Sequence, residues 1–260
     1  MKTVIITAAG ISSRFNEELP ESDKQLKAIY YEGDENDTLI LHLLLQSSYA
    51  DRIIVVGGYK YADLEQYVKK TVPEKLAEKV TLVYNPRFAD LTSGYSFYVG
   101  LMEAFKDSGL KEVLFVEGDL YIDDVSFRKV SEAESNVLTY NREPIYANKA
   151  VVLYRNGQGQ YQYAFNSEHG LLSINEPFSL IMNSGQMWKF TDIDVLKKAS
   201  DIFYNEIPQE TNLKLIQEYV NRAPGDKIKV IGLEQWVNCN TREDYQQINL
   251  LWRKRNEAVK

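Results

Sequence analysis

The 260-residue chain carries 30 lysines and arginines against 37 aspartates and glutamates, a formal net charge of −7 at pH 7. With 44% hydrophobic and 26% charged residues, it is neither a disordered chain nor a membrane protein. A sequence pI of about 5.1 argues against a dedicated nucleic-acid-binding protein, which usually carries a basic surface. The single cysteine excludes an internal disulfide and a thiolate metal cluster.

The chain begins with a short apolar stretch, Val4–Ile6, after Met1–Thr3. This stretch is too short for the core of a signal peptide or for a membrane span. No later segment approaches about 18 consecutive apolar residues. We therefore expect a cytoplasmic protein without a membrane partner.

The first half of the chain alternates short apolar runs with helical patterns. The predicted strands are Thr3–Ala8, Arg52–Val56, Val80–Tyr84 and Glu112–Val116. The predicted helices are Thr38–Ser48, Ala62–Val72, Gly94–Lys106 and Val125–Ala133. This alternation predicts an α/β fold with a Rossmann-like, doubly wound, mostly parallel sheet.

The middle third changes character. Asn136–Asn141, Ala150–Arg155 and Gln160–Phe165 have the pattern of strands, and Asn156–Gly159 between the last two is a hairpin signal. About residues 135–190 are therefore predicted to form an antiparallel extension, which makes the sheet mixed.

Helical patterns return in the last third, with one strand between them. The predicted helices cover Asp192–Tyr204 and Glu210–Asn221, and the predicted strand is Lys227–Leu233. A C-terminal helix is expected to begin near Thr241, capped with the help of Asp244. Because no linker or change in composition divides the chain, we predict a single domain over residues 1–260.

A loop of small residues, Ala8–Ser13, follows the first strand and leads to Arg14. In an open α/β sheet, ligands bind beyond the carboxyl ends of the strands. Such a loop exposes backbone N–H groups to an anion, and Arg14 adds a planar set of donors for phosphate. The loop is neither a Walker loop nor a dinucleotide fingerprint, since Gly10 is its one glycine. The alternative is that the small residues only make a tight turn.

Two other charged segments belong to this prediction. Lys24 lies in a polar loop ten residues after Arg14 and could return to the phosphates, although such lysines are usually solvated. Asp119 follows the fourth strand closely, so it should lie at the same sheet edge as Gly10. A carboxylate beside an anion-binding loop suggests a divalent cation between them. Asp123 and Asp124 are interpreted as caps of the next helix.

These segments resemble the nucleotidyltransferase (nucleotide-sugar pyrophosphorylase-like) family. The resemblance rests on the first strand, on Ala8-Ala9-Gly10-Ile11-Ser12-Ser13-Arg14, and on Lys24 before Gln25-Leu26. Tyr84-Asn85 with Tyr95–Tyr98, and Glu117–Tyr121, look most like the choline-phosphate and phosphonate cytidylyltransferases of bacterial surface-polysaccharide pathways. The similarity covers about the first 120 residues and returns at Trp236–Tyr245.

The resemblance implies an enzyme that couples a nucleoside triphosphate, with CTP favoured, to a small phosphorylated or phosphonate acceptor, with Mg²⁺ as cofactor. It implies that Arg14 and Lys24 neutralise the triphosphate and the leaving pyrophosphate. The implied nucleotide-binding residues are Ala8, Ala9, Gly10, Ser12, Ser13, Gly57, Gly58, Thr92, Ser93 and Gly94. The implied metal ligands are Asp119 and Asn240. Residues 1–134 would form the nucleotide-binding half, and residues 135–260 the acceptor half and C-terminal helix.

Three positions depart from the family pattern. Its second loop glycine is Ser12 here, and the proline before its lysine is Asp23, which keeps Lys27 as a second candidate. The late metal ligand is often aspartate but is Asn240 here, which removes one negative charge from the predicted metal site.

The acceptor is less well defined by the sequence. Tyrosines cluster between Tyr140 and Tyr163, and aromatic faces can bind an ammonium group, although such tyrosines also suit ordinary sheet packing. The candidate acceptor residues are Tyr121, Arg142, Glu168 and Trp188.

Three alternative functions remain open. The chain could be a sugar-1-phosphate nucleotidyltransferase that uses UTP or another triphosphate. A glycosyltransferase of related fold would place an Asp-x-Asp pair on its metal, which Glu117-Gly118-Asp119 matches in part. A non-catalytic nucleotide-binding module is favoured by Asn240. All of these readings share a nucleotide ligand and exclude a nucleic-acid partner.

Overall fold

The computed structural model describes residues 1–166 and 170–258, with their side chains as far as Arg253. The candidate acceptor residue Glu168 lies outside the described residues. No helix in the described part of the chain is long and apolar enough to cross a membrane.

Eleven strands and eight α-helices are present in the described residues. The strands are β1 (Lys2–Ala8), β2 (Arg52–Gly57), β3 (Val80–Tyr84), β4 (Glu112–Glu117), β5 (Leu120–Ile122), β6 (Asn136–Asn141), β7 (Val152–Asn156), β8 (Tyr161–Ala164), β9 (Phe178–Phe190), β10 (Ile228–Gly232) and β11 (Trp236–Asn238). The helices are α1 (Leu39–Gln46), α2 (Tyr61–Thr71), α3 (Glu74–Ala77), α4 (Ser93–Ala104), α5 (Asp124–Ser131), α6 (Ile193–Glu206), α7 (Asn212–Arg222) and α8 (Arg242–Ala258).

The main sheet has the strand order β10-β6-β9-β4-β1-β2-β3. β1 pairs in parallel with β2 and β4, and β2 pairs in parallel with β3. Ala8 lies opposite Gly57, and Thr7 lies opposite Glu117, so the carboxyl ends of these strands meet at one edge. The predicted mixed, mostly parallel α/β sheet is confirmed.

Both faces of the sheet are covered, because successive residues of β1 point to opposite sides. Val4 and Ile6 pack in one apolar cluster with α1, α2 and α5. Ile5 packs in a second cluster with α4, α6 and α7. This two-sided burial explains why β1, β2 and β4 are continuous apolar runs rather than alternating ones.

The middle third contains the predicted antiparallel extension, in which β7 pairs with β8 and β9. Its longest strand, β9, was not predicted as a strand. β9 runs antiparallel between β4 and β6, at the centre of the sheet. Its register against β6 shifts between Leu138 and Tyr140, and Gln186 has a left-handed backbone with φ 53°. This bulge interrupts the side-chain alternation that would have revealed the strand.

The C-terminal segment returns to the edge of the sheet through a second, two-stranded sheet in which β11 pairs antiparallel with β5. α8 follows and begins with the predicted cap: the Asp244 carboxylate accepts from the backbone N–H of Thr241 at 2.8 Å, and the Thr241 hydroxyl accepts from the Asp244 N–H at 3.2 Å. These pairings place Cys239 and Asn240 beside the segment that follows β4.

Candidate active site

A cavity of about 300 Å³ lies at the carboxyl edge of β1 and β4. It is bounded by the loop after β1, by the segment after β4, and by the start of α4. Its lining includes Ala8, Ala9, Gly10, Ser12, Lys27, Phe88, Thr92, Ser93, Ser96, Glu117 and Asp119. This is the position at which the sequence predicted the nucleotide.

Asn16 fixes the loop after β1. Ser12 has a left-handed backbone, with φ 55°, the conformation that glycine adopts most easily. The family that the sequence resembles has a glycine at this position. The buried Asn16 amide donates to the carbonyls of Ser12 at 3.1 Å and Gln25 at 2.8 Å, and its oxygen accepts from the Gln25 N–H. Asn16 therefore joins the Gly10 loop to the segment that carries both candidate lysines, a role that sequence reasoning missed.

Gly118 allows β4 to end against β1. Its N–H donates to the Thr7 carbonyl at 2.9 Å, and a Cβ at this position would lie 2.6 Å from the same oxygen. Only glycine permits so close an approach, which holds the carboxylates on either side of it at the edge of the cavity.

Glu117 is partly buried in the wall of the cavity, where Oε1 of its carboxyl group accepts from the Asn212 side-chain amide at 2.6 Å. Burial, with the negative charge of Asp119 next to it, raises the pKa of Glu117 to about 8. Asn212 also exchanges hydrogen bonds with Ser93, so a polar chain runs from Glu117 to the start of α4. Sequence reasoning had given neither Glu117 nor Asn212 a role in this network.

Lys27 is the basic residue in this cavity, among the described residues that line it. Its ammonium nitrogen lies 2.9 Å from Oδ2 of Asp119, and the two side chains are only 14% and 26% exposed. The Lys27 backbone N–H donates to the Ser12 hydroxyl at 3.3 Å, which ties the lysine to the Gly10 loop. The other carboxylate oxygen of Asp119 is buried without a hydrogen-bond partner.

Lys24 lies elsewhere, in an adjoining cavity of about 320 Å³ that shares Ile11 with the first. Its ammonium group pairs with Glu21 at 2.8 Å. The described lining of this second cavity has three glutamates and one lysine, and it also contains Ser13. An acidic cavity disfavours a phosphate. Lys27, and not Lys24, is the lysine that lies next to Asp119.

Arg14 meets the other predicted metal ligand. Its guanidinium donates to the Asn240 side-chain oxygen at 2.9 Å. The N–H of Cys239 donates to the Asp119 carbonyl at 2.8 Å, which brings the Asn240 segment against Asp119. Cys239 is fully buried, and burial raises its thiol pKa to about 12. Arg14 and Asn240 lie beside the cavity rather than among the residues that line it.

Of the segments predicted to hold the base, some residues line the cavity and others pack behind the lining residues. Thr92 and Ser93 line the cavity, and the Thr92 hydroxyl donates to the Glu210 carbonyl at 2.5 Å. Gly94 is a packing residue, because a Cβ there would lie 2.3 Å from the Glu210 carbonyl. Gly57 and Gly58 also lie behind the lining, and a Cβ at Gly58 would lie 2.4 Å from Cβ of Phe88.

Three predicted acceptor residues that the structure describes, Tyr121, Arg142 and Trp188, are not among the residues that line this cavity. Trp188 is fully buried on β9, where it stacks on Phe115 and donates to the Tyr163 hydroxyl at 2.7 Å. Tyr121 is buried against His42 and Trp252. Both acceptor assignments are corrected, since buried side chains of the core cannot contact an acceptor. Arg142 is exposed in the segment after β6, away from the described lining.

The residues present do not fit a protein-bound Mg²⁺ ion. One oxygen of Asp119 is paired with Lys27, and the Asn240 oxygen is paired with Arg14. No group of three or more His, Cys, Asp or Glu side chains in the described residues is placed to hold a metal ion. Mg²⁺ needs charged oxygen ligands to offset its dehydration, and this cluster pairs its carboxylate with an ammonium group instead.

Comparison with known proteins supplies the family. Residues 23–252 match the family model described as a domain of unknown function, DUF6564. The chain belongs to this family. A search of curated proteins finds no match.

Several solved structures share the fold. The CTP:phosphocholine cytidylyltransferase of Streptococcus pneumoniae superposes with a TM-score of 0.64 at 15% identity, over 96% of this chain and 99% of that one. The inositol-1-phosphate CTP transferase of T. maritima has a TM-score of 0.66 at 14% identity, over 96% and 95%. A putative glucose-1-phosphate thymidylyltransferase of Bacillus anthracis has a TM-score of 0.69 at 12% identity, with the same coverage. This chain thus has the fold of these nucleotidyltransferases.

Proposed function

We propose that this protein is a nucleotidyltransferase, which joins the nucleotidyl group of a nucleoside triphosphate to a small phosphorylated acceptor and releases pyrophosphate. The observation that carries the proposal is the cavity at the carboxyl edge of β1 and β4. There the Ala8–Ser12 loop, Lys27 and Asp119 converge. The shared fold with enzymes whose names state this chemistry supports the same conclusion.

The proposed reaction is a displacement at the α-phosphorus. A phosphate or phosphonate oxygen of the acceptor attacks, the bond from the α-phosphorus to the bridging oxygen breaks, and pyrophosphate leaves. The nucleophile is already ionised at neutral pH, so a general base is not needed. The main barriers are charge repulsion and alignment, which fixed cations and backbone N–H groups reduce. Lys27 and Arg14 are the cations that the geometry offers.

CTP is the favoured triphosphate, and phosphocholine, phosphoethanolamine or a phosphonate is the favoured acceptor. The sequence resemblance supports this choice, and two of the similar structures are named as CTP-dependent transferases. A sugar-1-phosphate with UTP or another triphosphate is the alternative pair of substrates. The sequence also predicts a cytoplasmic location and a requirement for Mg²⁺, and the pairing of Asp119 with Lys27 and of Asn240 with Arg14 argues against the second of these predictions.

A pyrophosphate-release screen tests the proposal. Four nucleoside triphosphates are paired with phosphocholine, phosphoethanolamine, aminoethylphosphonate and sugar-1-phosphates, each with and without Mg²⁺. We expect release with CTP and one of the amino-alcohol phosphates or the phosphonate. Release only with UTP and a sugar phosphate would move the protein to another substrate class. Nucleotide binding without turnover under any acceptor would make it a non-catalytic module.

Variants of the two lysines test which of them acts on the triphosphate in this reaction. Lys27→Met removes the charge beside Asp119, and Lys24→Ala removes the one beside Glu21. We expect Lys27→Met and Asp119→Ala each to lower turnover by about 10²–10³, as loss of one charge-stabilising group does elsewhere, and Lys24→Ala to have a smaller effect. Lys129→Met, at an exposed pair with Glu234, is the control. A larger loss in Lys24→Ala would return the role to the residue that the sequence predicted.

A further inference from the structure

Two basic side chains occupy the two oxygen ligands that the sequence predicts for a metal ion. Lys27 is 2.9 Å from Asp119, and Arg14 is 2.9 Å from Asn240. The two pairs belong to one cluster, because the Cys239 N–H bonds to the Asp119 carbonyl. Position 240, which often carries an aspartate in the family that the sequence resembles, has no charge here.

The cluster already carries a net positive charge without a metal ion, because Lys27 and Arg14 together face one carboxylate, that of Asp119. The Asp119 carboxylate is neutralised by Lys27, and the Asn240 amide contributes only a dipole to Arg14. A divalent cation placed at Asp119 would have to displace the ammonium group or lie within a few ångströms of it. The two cations would repel each other at that distance, and the single negative charge of Asp119 cannot neutralise both of them.

The lysine is also held in place. The hydrogen bond from its N–H to Ser12 and the clamp of Asn16 on Gln25 fix the segment on both sides of the buried Leu26. An ammonium group has three hydrogens, and the pair with Asp119 uses one of them. The others can reach phosphate oxygens without a change in the segment.

We propose that Lys27, with Arg14, takes the place of a protein-bound divalent cation, so that this chain binds a nucleoside triphosphate without a metal ion. The proposal deepens the proposed function and rests on it for the identity of the ligand. It also accounts for the joint presence of a lysine at position 27 and an uncharged side chain at position 240.

A metal titration tests the first half of the proposal without any nucleotide. Free Mn²⁺ is followed by electron paramagnetic resonance in the presence of wild type, of Lys27→Met/Asn240→Asp, and of the surface control Lys129→Met. We expect wild type and the control to leave the Mn²⁺ signal unchanged at millimolar concentration. The double variant should bind Mn²⁺ at least about tenfold more tightly, because it loses one positive charge and gains one negative charge. Mn²⁺ binding by wild type that Asp119→Asn abolishes would overturn the proposal.

A nucleotide titration tests the second half. CTP binding is measured by calorimetry in EDTA and in Mg²⁺, with thermal melts to confirm that each variant is folded. We expect the wild-type dissociation constants in the two conditions to agree within about threefold, and Lys27→Met to bind about tenfold more weakly in EDTA. Wild-type binding that requires Mg²⁺ would overturn the proposal. If CTP binds in neither condition, the proposed function fails, and the Mn²⁺ titration still decides whether the cluster holds a metal ion.

Discussion

At the scale of single residues, the cavity wall contains two carboxyl groups, separated in the chain by one residue, whose partners and pKa values differ. Asp119 has a lysine partner, whereas Glu117 has an amide partner and a pKa raised to about 8. Such separation of neighbouring carboxylates is common where a binding site must control charge. Gly118 between them makes the arrangement possible, because it lets the end of β4 lie against Thr7.

The raised pKa of Glu117 predicts a pH-dependent cost to stability. The folded state keeps the proton to about pH 8, whereas the unfolded chain releases it near pH 4.5. The free energy of unfolding is therefore highest below about pH 4.5, falls as the pH rises from there, and reaches its lower value above about pH 8. Glu117→Gln keeps an oxygen for the Asn212 amide and does not titrate. We expect it to be more stable than wild type at pH 8.5, by on the order of 2 kcal/mol, with a smaller gain at pH 6.

Urea unfolding at the two pH values measures this difference. Glu234→Gln, at an exposed glutamate, is the matched control and should show no comparable gain. Parallel pH profiles for wild type and Glu117→Gln would show that burial does not shift this carboxyl group.

At the scale of elements, α8 is the part of the fold that brings the late segment to the cavity. Asp244 accepts from the N–H groups of both Asn240 and Thr241, each at 2.8 Å. The Arg242 guanidinium stacks on the rings of Phe15 and Tyr30, with its central carbon 4.2 and 3.8 Å from the ring centroids. The start of α8 therefore supports both the Arg14 loop and the residue that Arg14 contacts.

Removal of this cap should loosen the site as well as the helix. We expect Asp244→Ala to lower the free energy of unfolding by about 1–2 kcal/mol, since two N–H groups lose their acceptor. Triphosphate affinity should also fall, because Asn240 no longer holds Arg14. Gln246→Ala, at an exposed position of the same helix, is the control in urea unfolding and CTP titration. A lower free energy of unfolding with unchanged CTP affinity would show that the cap stabilises the helix but does not position Arg14 for nucleotide binding.

At the scale of the whole molecule, the sequence predicted the elements that have a strong local signal. β1 to β4 are continuous apolar runs, and their predicted bounds agree with the structure to within one residue at either end. β9 escaped prediction because Asn183–Gln186 interrupts its pattern at the bulge. Trp188 was misassigned for the same reason: its burial follows from the central place of β9 in the sheet, which the local sequence does not reveal.

The candidate site was predictable in outline only. Gly10 and Asp119 could be placed at one edge, because the carboxyl ends of parallel strands meet there. The preference for Lys27 over Lys24 depends on the turn that Asn16 and Gln25 hold, and residue spacing does not encode that turn. The Arg14–Asn240 contact joins residues 226 positions apart and follows only from the pairing of β11 with β5.

The net charge of −7 and the proposed anionic ligand make a further prediction for the whole molecule. Binding must depend on a local positive site, so a compact triphosphate should bind where a long polyanion, repelled by the acidic surface, does not. A ligand at about 100 times its dissociation constant stabilises the folded state by about 2.7 kcal/mol, which corresponds to a rise of about 5–10 °C in Tm for a chain of this size. We expect this rise with CTP, a smaller one in Lys27→Met, and none with a single-stranded oligonucleotide at equal phosphate concentration. Scanning fluorimetry measures all three changes in Tm. Equal changes with CTP and with the oligonucleotide would contradict a local site, because they would indicate that a diffuse basic surface binds both ligands.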